Sequence, residues 1–411
     1  MKILSIETSC DETAVSIIEA KGTYRSPSFN VLGSVVHSQA SLHAEWMGVV
    51  PTLAKREHSI NLVPVLMQAL KEASMYKVKE PQLRVSQPLA EKIAKIFDKE
   101  NQLAEFFWQE IPKIKTPEVD AIAVTYGPGL EPALWTGINF AKALSLIWKK
   151  EIIPINHMEG HILSVLLPVT KITMPISKKE ADQPKIILPA LALLISGGHT
   201  ELVLIKDWLK YQVIGHTRDD AVGEAFDKVA RMLGLPYPGG PEISRLAAQY
   251  EENIKETKRT IALPRPMIFS KDFDFSFSGL KTAVLYTIKK LPELTDEIKK
   301  EIAYEFEQAV VEILAKKTKR AIEEYEPKTV IIGGGVIANK KIRETFQKFI
   351  GEYLKTKLLI PHLKYSTDNA TMIGISGYFR WLDQSPSPAD PSRKRKRISR
   401  NFKATGNLVL K

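Results

Sequence analysis

A two-part pattern occurs twice along the chain, and this repetition constrains the fold more than any other feature. The first part is a hairpin with a polar tip. Residues 2–7 read as a strand, Thr8–Glu12 as a polar turn and Thr13–Ile18 as the returning strand. Much later, Ala190–Ile195 is a strand, Ser196-Gly197-Gly198-His199 a turn and Thr200–Ile205 the return. The second part is an apolar strand, a glycine loop and a helix. Asp120–Thr125, Gly127-Pro128-Gly129 and a helical stretch from about Leu134 to Trp148 form one copy. Lys328–Ile332, Gly333-Gly334-Gly335 and a helix from about Asn339 to Phe349 form the other. The repetition predicts an internal duplication giving two α/β lobes, with glycine loops and hairpin tips facing each other across a cleft. Glycines at such turns let backbone N–H groups approach an anion. The plainer reading is that they only make tight strand–helix turns.

Three stretches look like additions to the lobes. Residues 78–117 carry an amphipathic helical pattern (Leu89, Ile93, Ile96, Phe97, then Leu103, Phe106, Phe107) between Pro81 and Pro117. Residues 168–189 are rich in Lys and Pro and read as an exposed loop. Residues 384–392 have linker composition. Charge sharpens the division. The chain carries +11, and residues 384–411, with eight basic residues and one acid, hold +7 of it. A mobile basic tail on a nearly balanced body is expected, and a polyanion is its natural partner. One cysteine, Cys10, excludes an internal disulfide or a Cys-rich zinc module and fits a reducing compartment. Glu7 interrupts the N-terminus before a signal-type apolar core, and no apolar run approaches the ~20 residues of a membrane span. A soluble, cytoplasmic protein is expected.

The sharpest chemical signal is Asn156-His157-Met158-Glu159-Gly160-His161. Histidines at i and i+4 share one helical face and can chelate a metal ion. The bland alternative is one packed histidine and one at a cap. In the zinc-protease pattern H-E-x-x-H the acid follows the first His directly; here Met158 stands there, which disfavours a metalloprotease. A third ligand must come from elsewhere, and Asp368 in Ser366-Thr367-Asp368-Asn369 is the best candidate. Asp11 and Glu12 at the first hairpin tip are either solvated acids or groups that bind a cation or accept a proton. Asp227, in Gly223-Glu224-Ala225-Phe226-Asp227-Lys228, is either a surface acid or a partner for a hydroxyl group, and Pro238-Gly239-Gly240-Pro241 marks a rigid turn. Cys10 has no visible activating base and reads as a packed thiol. His43 and His58 bracket a segment that could face nucleic acid or a partner subunit.

Together these motifs resemble one family, the tRNA N6-adenosine threonylcarbamoyltransferases (TsaD family). The matching stretches, in order, are Ile6-Glu-Thr-Ser-Cys-Asp-Glu-Thr13, Val49-Val-Pro51 with Arg56 and His58, and Tyr126-Gly-Pro-Gly-Leu130. Asn156–His161, Leu194-Ile-Ser-Gly-Gly-His-Thr200, Gly223–Lys228 and Tyr237–Pro241 follow. Phe275-Ser-Phe-Ser-Gly-Leu-Lys281, Gly333-Gly-Gly-Val336 with Asn339, and Ser366-Thr-Asp-Asn-Ala370 complete the set. Met47-Gly48 replaces a usual Gly pair, Thr52 a common Glu, and Ser244 a common substrate-contacting Asp. The Val-Val-Pro form resembles the bacterial branch.

The resemblance implies an actin/sugar-kinase/Hsp70-like fold, two related lobes around a nucleotide cleft. Together with the residue pattern it divides the chain into lobe I (1–150, with a helical insertion at about 78–117), lobe II (151–366) and a C-terminal helix (367–383) returning to lobe I, while charge and linker composition set off a basic, disordered tail (384–411). It implies one divalent ion, Fe2+ or Zn2+, on His157, His161 and Asp368. It implies that Leu194, Ile195, Ser196, Gly197, Gly198, Asp227, Gly240 and Asn339, with Ser244, bind threonylcarbamoyl-AMP. Asp11 and Glu12 would lie near the reaction centre. The implied reaction moves threonylcarbamoyl from its adenylate to N6 of the adenosine 3′ to the anticodon in tRNAs that read codons beginning with A. AMP leaves, and Asp11, Glu12 or a water takes the N6 proton. Accessory proteins are implied as well, a TsaB-like paralogue and a TsaE-like ATPase. The resemblance is silent on the 78–117 insertion and the tail. An auxiliary tRNA contact by Arg393, Lys394, Arg395, Lys396 and Arg397 is the charge-based expectation. A small-molecule kinase of the same fold and a non-catalytic nucleotide-binding scaffold are the alternatives.

Overall fold

In a computed structural model, residues 1–79, 85–167, 184–252, 260–384 and 401–411 are described. The strands are β1 (Lys2–Glu7), β2 (Glu12–Thr23), β3 (Ser26–Ser38), β4 (Ala121–Gly127), β5 (Glu151–Asn156), β6 (Ala190–Ile195), β7 (Thr200–Asp207), β8 (Lys210–His216), β9 (Thr329–Gly333) and β10 (Lys357–Leu359). The helices are α1 (Ala40–Ala44), α2 (Pro51–Glu72), α3 (Gln87–Ile96), α4 (Asn101–Glu110), α5 (Glu131–Ile147), α6 (His157–Leu163), α7 (Val222–Met232), α8 (Gly239–Glu252), α9 (Ser278–Lys290), α10 (Asp296–Tyr325), α11 (Lys340–Ile350) and α12 (Ala370–Gln384). The chain forms two compact units: residues 1–39, 49–185 and 368–410 in the first, 40–48 and 186–367 in the second.

Each unit holds one five-stranded mixed sheet, and the two sheets have the same topology. The first runs β3-β2-β1-β4-β5 and the second β8-β7-β6-β9-β10. In both, three antiparallel strands are followed by two parallel ones: β1 pairs antiparallel with β2 and parallel with β4, as β6 does with β7 and β9. The parallel steps cross over through α5 and α11, as parallel neighbours require. This repeated topology is the two-lobe actin/sugar-kinase/Hsp70-like architecture, and it establishes the duplication. β1, β4 and β6 are almost entirely buried, so they read as apolar runs rather than alternating strands. Among the described residues, no helix is long and apolar enough to cross a membrane.

Two boundaries differ from the sequence expectation. The first unit does not stop at residue 150. β5 pairs in parallel with β4 and closes the first sheet, carrying α6 with it. Residues 401–410 are not a free tail: Ala404 and Leu410 are buried, and Phe402 packs on Tyr126. Isolated apolar residues with no period hide such a segment from pattern reading. The amphipathic stretch of the insertion becomes α3 and α4, and its Ile93, Phe97, Leu103 and Phe107 join the first unit's core. Residues 80–84, 168–183 and 385–400, with Arg393–Arg397 among them, lie outside the described residues.

Phe107 is fully buried against Phe97, Trp108 and Phe140 at 5.1, 5.5 and 6.2 Å between ring centroids. Phe107→Ala should lower stability by about 3–5 kcal/mol in urea unfolding. Leu354→Ala, at a side chain 99% exposed, should stay within about 0.5 kcal/mol of the parent.

Candidate metal centre and substrate loops

The local sequence explains how three candidate ligands meet in the first unit. Asn156 caps α6, its Oδ1 accepting from Met158 N at 2.9 Å, so His157 and His161 occupy one face of a short helix. Asn369 does the same for α12, accepting from Met372 N at 3.1 Å, and fixes the chain at Asp368. Gly160 lets the two helices approach. A Cβ there would lie 3.0 Å from both Met372 and Ile373 side chains.

The ligand atoms of His157, His161 and Asp368 lie within 4.8 Å of one another. Asp368 Oδ1 is 3.3 Å from His157 Nε2 and 3.2 Å from His161 Nε2. Nδ1 of the fully buried His161 has no hydrogen-bond partner among the described residues. Two convergent imidazoles and a carboxylate form an N/O donor set suited to a divalent transition metal, so the residues present fit such an ion.

Behind the ligands stands Glu7, which motif reading quoted without giving it a role. It is fully buried and accepts from Ser9 N at 2.5 Å and from the Thr125 hydroxyl at 2.6 Å. Its Oε2 is 3.0 Å from His157 Nδ1, and Ser9 Oγ is 3.2 Å from the same nitrogen. This contact fixes the ring so that Nε2 faces Asp368. With the protein's own groups alone, burial disfavours charge on His157, but Asp368 and Glu7 outweigh it and push the imidazole well above its ordinary range. Burial likewise opposes charge on Glu7 and Asp368, and His157 overrides it, holding both carboxyls low. Burial lowers His161. Metal binding at Nε2 of His157 must therefore displace a proton.

At the hairpin tip, burial first, then the charges of Asp368 and Asp11, push the Glu12 carboxyl well above the usual carboxylate range. Burial also pushes the Cys10 thiol up, with Asp11 adding to it. Cys10 therefore stays a thiol, in line with a packed rather than nucleophilic role. His58 is buried and serves the tip. It lies 2.7 Å from Thr13 Oγ1 and 3.0 Å from the Cys10 carbonyl. His43 is buried too, so neither bracketing histidine presents its ring to a partner.

Packing within each unit accounts for the glycine loops. Gly129 N donates to Gly406 O at 3.1 Å and Leu130 N to Ser9 O at 2.7 Å. Those donors are committed within the chain, and the tight-turn reading holds for this loop. The residue type still matters. A Cβ on Gly129, at φ +150°, would lie 2.5 Å from Ser9 O. Gly334, at φ +94°, presses on the end of β6 in the same way, 2.3 Å from Ile195 O.

In the second unit, Leu194 and Ile195 end β6 and are buried, and the turn Ser196–His199 closes with Ser196 N donating to His199 O at 2.9 Å. Gly197 and Gly198 face open space, and Gly223 at the start of α7 packs on this turn. Asp227 Oδ1 accepts from Gly239 N at 2.7 Å, tying α7 to the start of α8, which holds Gly240. Ser244 and Asn339 meet on Glu307, a residue sequence reading missed. Ser244 Oγ and Asn339 Nδ2 each donate to Glu307 Oε1 at 2.7 Å. Burial raises the Glu307 carboxyl, partly offset by these two donors. Glu301, Glu305 and Glu307 of α10 all turn inward, and the helix sequence gives no local signal of it.

The chain matches the family model TsaD, tRNA N6-adenosine threonylcarbamoyltransferase, over residues 30–80 and 101–375. A protein of that name from Persephonella marina is 41% identical over 386 residues, 93% of this chain and 91% of the relative. One from Thermosipho africanus is 41% identical over 379 residues, covering 92% and 94%. One from Thermosipho melanesiensis is 42% identical over 378 residues, with the same coverage. The insertion expected outside the family pattern is thus narrower than 78–117, since residues 101–117 fall within the match.

Glu159, between the two histidines, is fully buried and forms a bidentate pair with Arg380 of α12, with Nε to Oε1 at 3.0 Å. Arg380→Met should destabilise the protein by about 3 kcal/mol in chemical unfolding, because it strips a buried carboxylate of this partner. The double change Glu159→Met with Arg380→Met should be markedly milder.

Proposed function

The chain belongs to the tRNA N6-adenosine threonylcarbamoyltransferase family, and from that premise we propose how its residues carry threonylcarbamoyl to N6 of an adenosine in tRNA. The observation that carries the proposal is the convergence of His157, His161 and Asp368, braced by Glu7, in a chain of this family. The kinase and scaffold alternatives are not favoured beside it.

The adenine amino group is a weak nucleophile because its lone pair is delocalised into the ring. Most of the catalytic advantage must come from an activated donor and from holding both partners in line. The donor is threonylcarbamoyl-AMP, and the acceptor is the adenosine 3′ to the anticodon. His157, His161 and Asp368 hold one divalent ion, Fe2+ or Zn2+, which supplies positive charge for oxygens that become more negative in the transition state. The Leu194–Gly198 turn, with its open glycines, and Asp227, Gly240, Ser244 and Asn339 bind the adenylate. Asp11 takes the N6 proton as the new C–N bond forms and the bond to AMP breaks; Glu12 supports it from the next position. Arg393, Lys394, Arg395, Lys396 and Arg397 add an electrostatic contact to tRNA. A TsaB-like paralogue and a TsaE-like ATPase complete the working assembly in the cytoplasm.

The direct test incubates the chain and those accessory proteins with unmodified tRNA, threonine, bicarbonate, ATP and a threonylcarbamoyl-adenylate synthase. Mass spectrometry of the nucleosides should find threonylcarbamoyladenosine, and its absence in the complete mixture would overturn the assignment. Asp11→Ala should abolish transfer and leave adenylate binding within about twofold. Near-normal turnover would remove Asp11 from the mechanism. Replacing the five basic residues 393–397 with Gln should weaken tRNA binding most at low salt and flatten the dependence of log K on log salt. An unchanged slope would remove them from the RNA contact.

A further inference from the structure

Residues 401–410 lie beyond the family match, which ends at residue 375, yet they dock on one of its motifs. Thr405 N donates to the Tyr126 carbonyl at 2.9 Å, and Gly406 O accepts from Gly129 N at 3.1 Å. Lys142 of α5 donates to the Phe402 carbonyl at 3.0 Å, and its ammonium sits 4.9 Å from the Phe402 ring centroid. The same ring meets Tyr126 edge-on at 6.1 Å. Ala404 joins the first unit's core. The fit is close: a Cβ on Gly127 would lie 2.1 Å from Thr405 O and 3.0 Å from Leu408 Cβ.

The docked loop reaches the metal centre through Ser9. Leu130 N donates to Ser9 O at 2.7 Å, and a Cβ on Gly129 would collide with Ser9. Ser9 in turn gives its N–H to Glu7 and places Oγ 3.2 Å from Nδ1 of His157. Three successive contacts thus run from Gly406 through the Tyr126–Leu130 loop and Ser9 to a ring whose other nitrogen faces Asp368.

We propose that residues 401–410 brace the metal centre, with Thr405 and Gly406 acting as positioning residues that hold His157 through the Tyr126–Leu130 loop and Ser9. The proposal rests on the reading of His157, His161 and Asp368 as metal ligands. The physical basis is rotational. His157 gains affinity for an ion to the extent that its ring is already held in the ligating orientation, and outer contacts of this kind are commonly worth roughly tenfold or more in metal affinity. Without the brace, the glycine loop loses both backbone contacts on its outer side.

The test uses the full chain carrying Thr405→Pro, which deletes the N–H to Tyr126. Phe402→Ala is a second, gentler variant, and Thr405→Ser is the control that keeps the N–H. Two quantities are measured: Zn2+ affinity by competition with a chelating dye, and amide hydrogen exchange at Ser9, Gly129 and Leu130. Thr405→Pro should weaken Zn2+ binding roughly tenfold and speed exchange at all three amides, with Phe402→Ala intermediate and Thr405→Ser unchanged. Neutralising residues 393–397 should alter neither quantity. Zn2+ affinity within twofold of the parent in Thr405→Pro, or unchanged exchange at Ser9 and Leu130, would overturn the brace. Should the parent itself bind no Zn2+, Fe2+ or Co2+, the metal reading fails, and exchange at Ser9 decides the brace by itself.

Discussion

The first unit is organised around keeping Glu7 ionised out of contact with solvent. An isolated buried carboxylate is prohibitively costly, so each oxygen must be answered. The answers come from three places far apart in sequence: the N–H of Ser9 just past β1, the hydroxyl of Thr125 on β4, and the imidazole of His157 at the start of α6. These groups meet because β1, β4 and β5 are parallel neighbours whose C-terminal ends lie together. Shifting either strand by one residue would turn Thr125 or the start of α6 away and leave the carboxylate unpaired. The buried charge thereby fixes the sheet register, and the register carries His157 to Asp368. Fold and site are one constraint here, and the cost of burying Glu7 is offset only when both are correct.

The α6–α12 pair extends the same logic. His157 and Asp368 stand beside helix starts, where an Asn cap specifies the first turn to within a residue. Gly160 brings the helix axes close, and the Glu159–Arg380 pair joins them further along. α12 is seated on the sheet by small residues as well, with Gly374 against Ser5 and Ile18 and Gly377 against Ala123. Asp368, contributed from more than two hundred residues beyond His161, is thus positioned by backbone packing rather than by its own side chain.

Much of this was legible in the sequence. Asn156-His157 with His161 four residues on fits a capped helix with two ligands on one face, and the doubled strand–glycine–helix pattern has few other solutions. What stayed hidden shares one physical cause: its meaning depends on a distant partner. Glu7 reads as the polar end of a strand until Thr125 and His157 are beside it. Glu307 lies on α10 with nothing local to distinguish it from the helix's exposed acids such as Asp296 and Glu297, and Ser244 and Asn339 reveal its inward face. Phe402 and Ala404 follow a linker-like stretch and a basic run, and three or four apolar residues without a period carry no signal of docking. The edge of the first sheet is hidden for a related reason. β5 is short and belongs to the first sheet only through its pairing with β4, which no local pattern announces.

The duplication also separates what the fold demands from what the chemistry demands. In both units the glycine loop after the fourth strand presses on the residue at or just past the end of the first, Gly129 on Ser9 and Gly334 on Ile195. That contact recurs because it closes the same strand–turn–helix geometry twice, and it explains the glycines without any ligand. The hairpin tips do not correspond in this way. The first tip carries Asp11 and Glu12 among buried histidines, and the second carries Gly197 and Gly198 facing open space. One copy of an equivalent position carries a cluster of ionisable side chains. The other has shed its side chains and offers bare backbone. Two copies of one scaffold thus differ most at this point, one crowded with ionisable side chains and the other reduced to backbone.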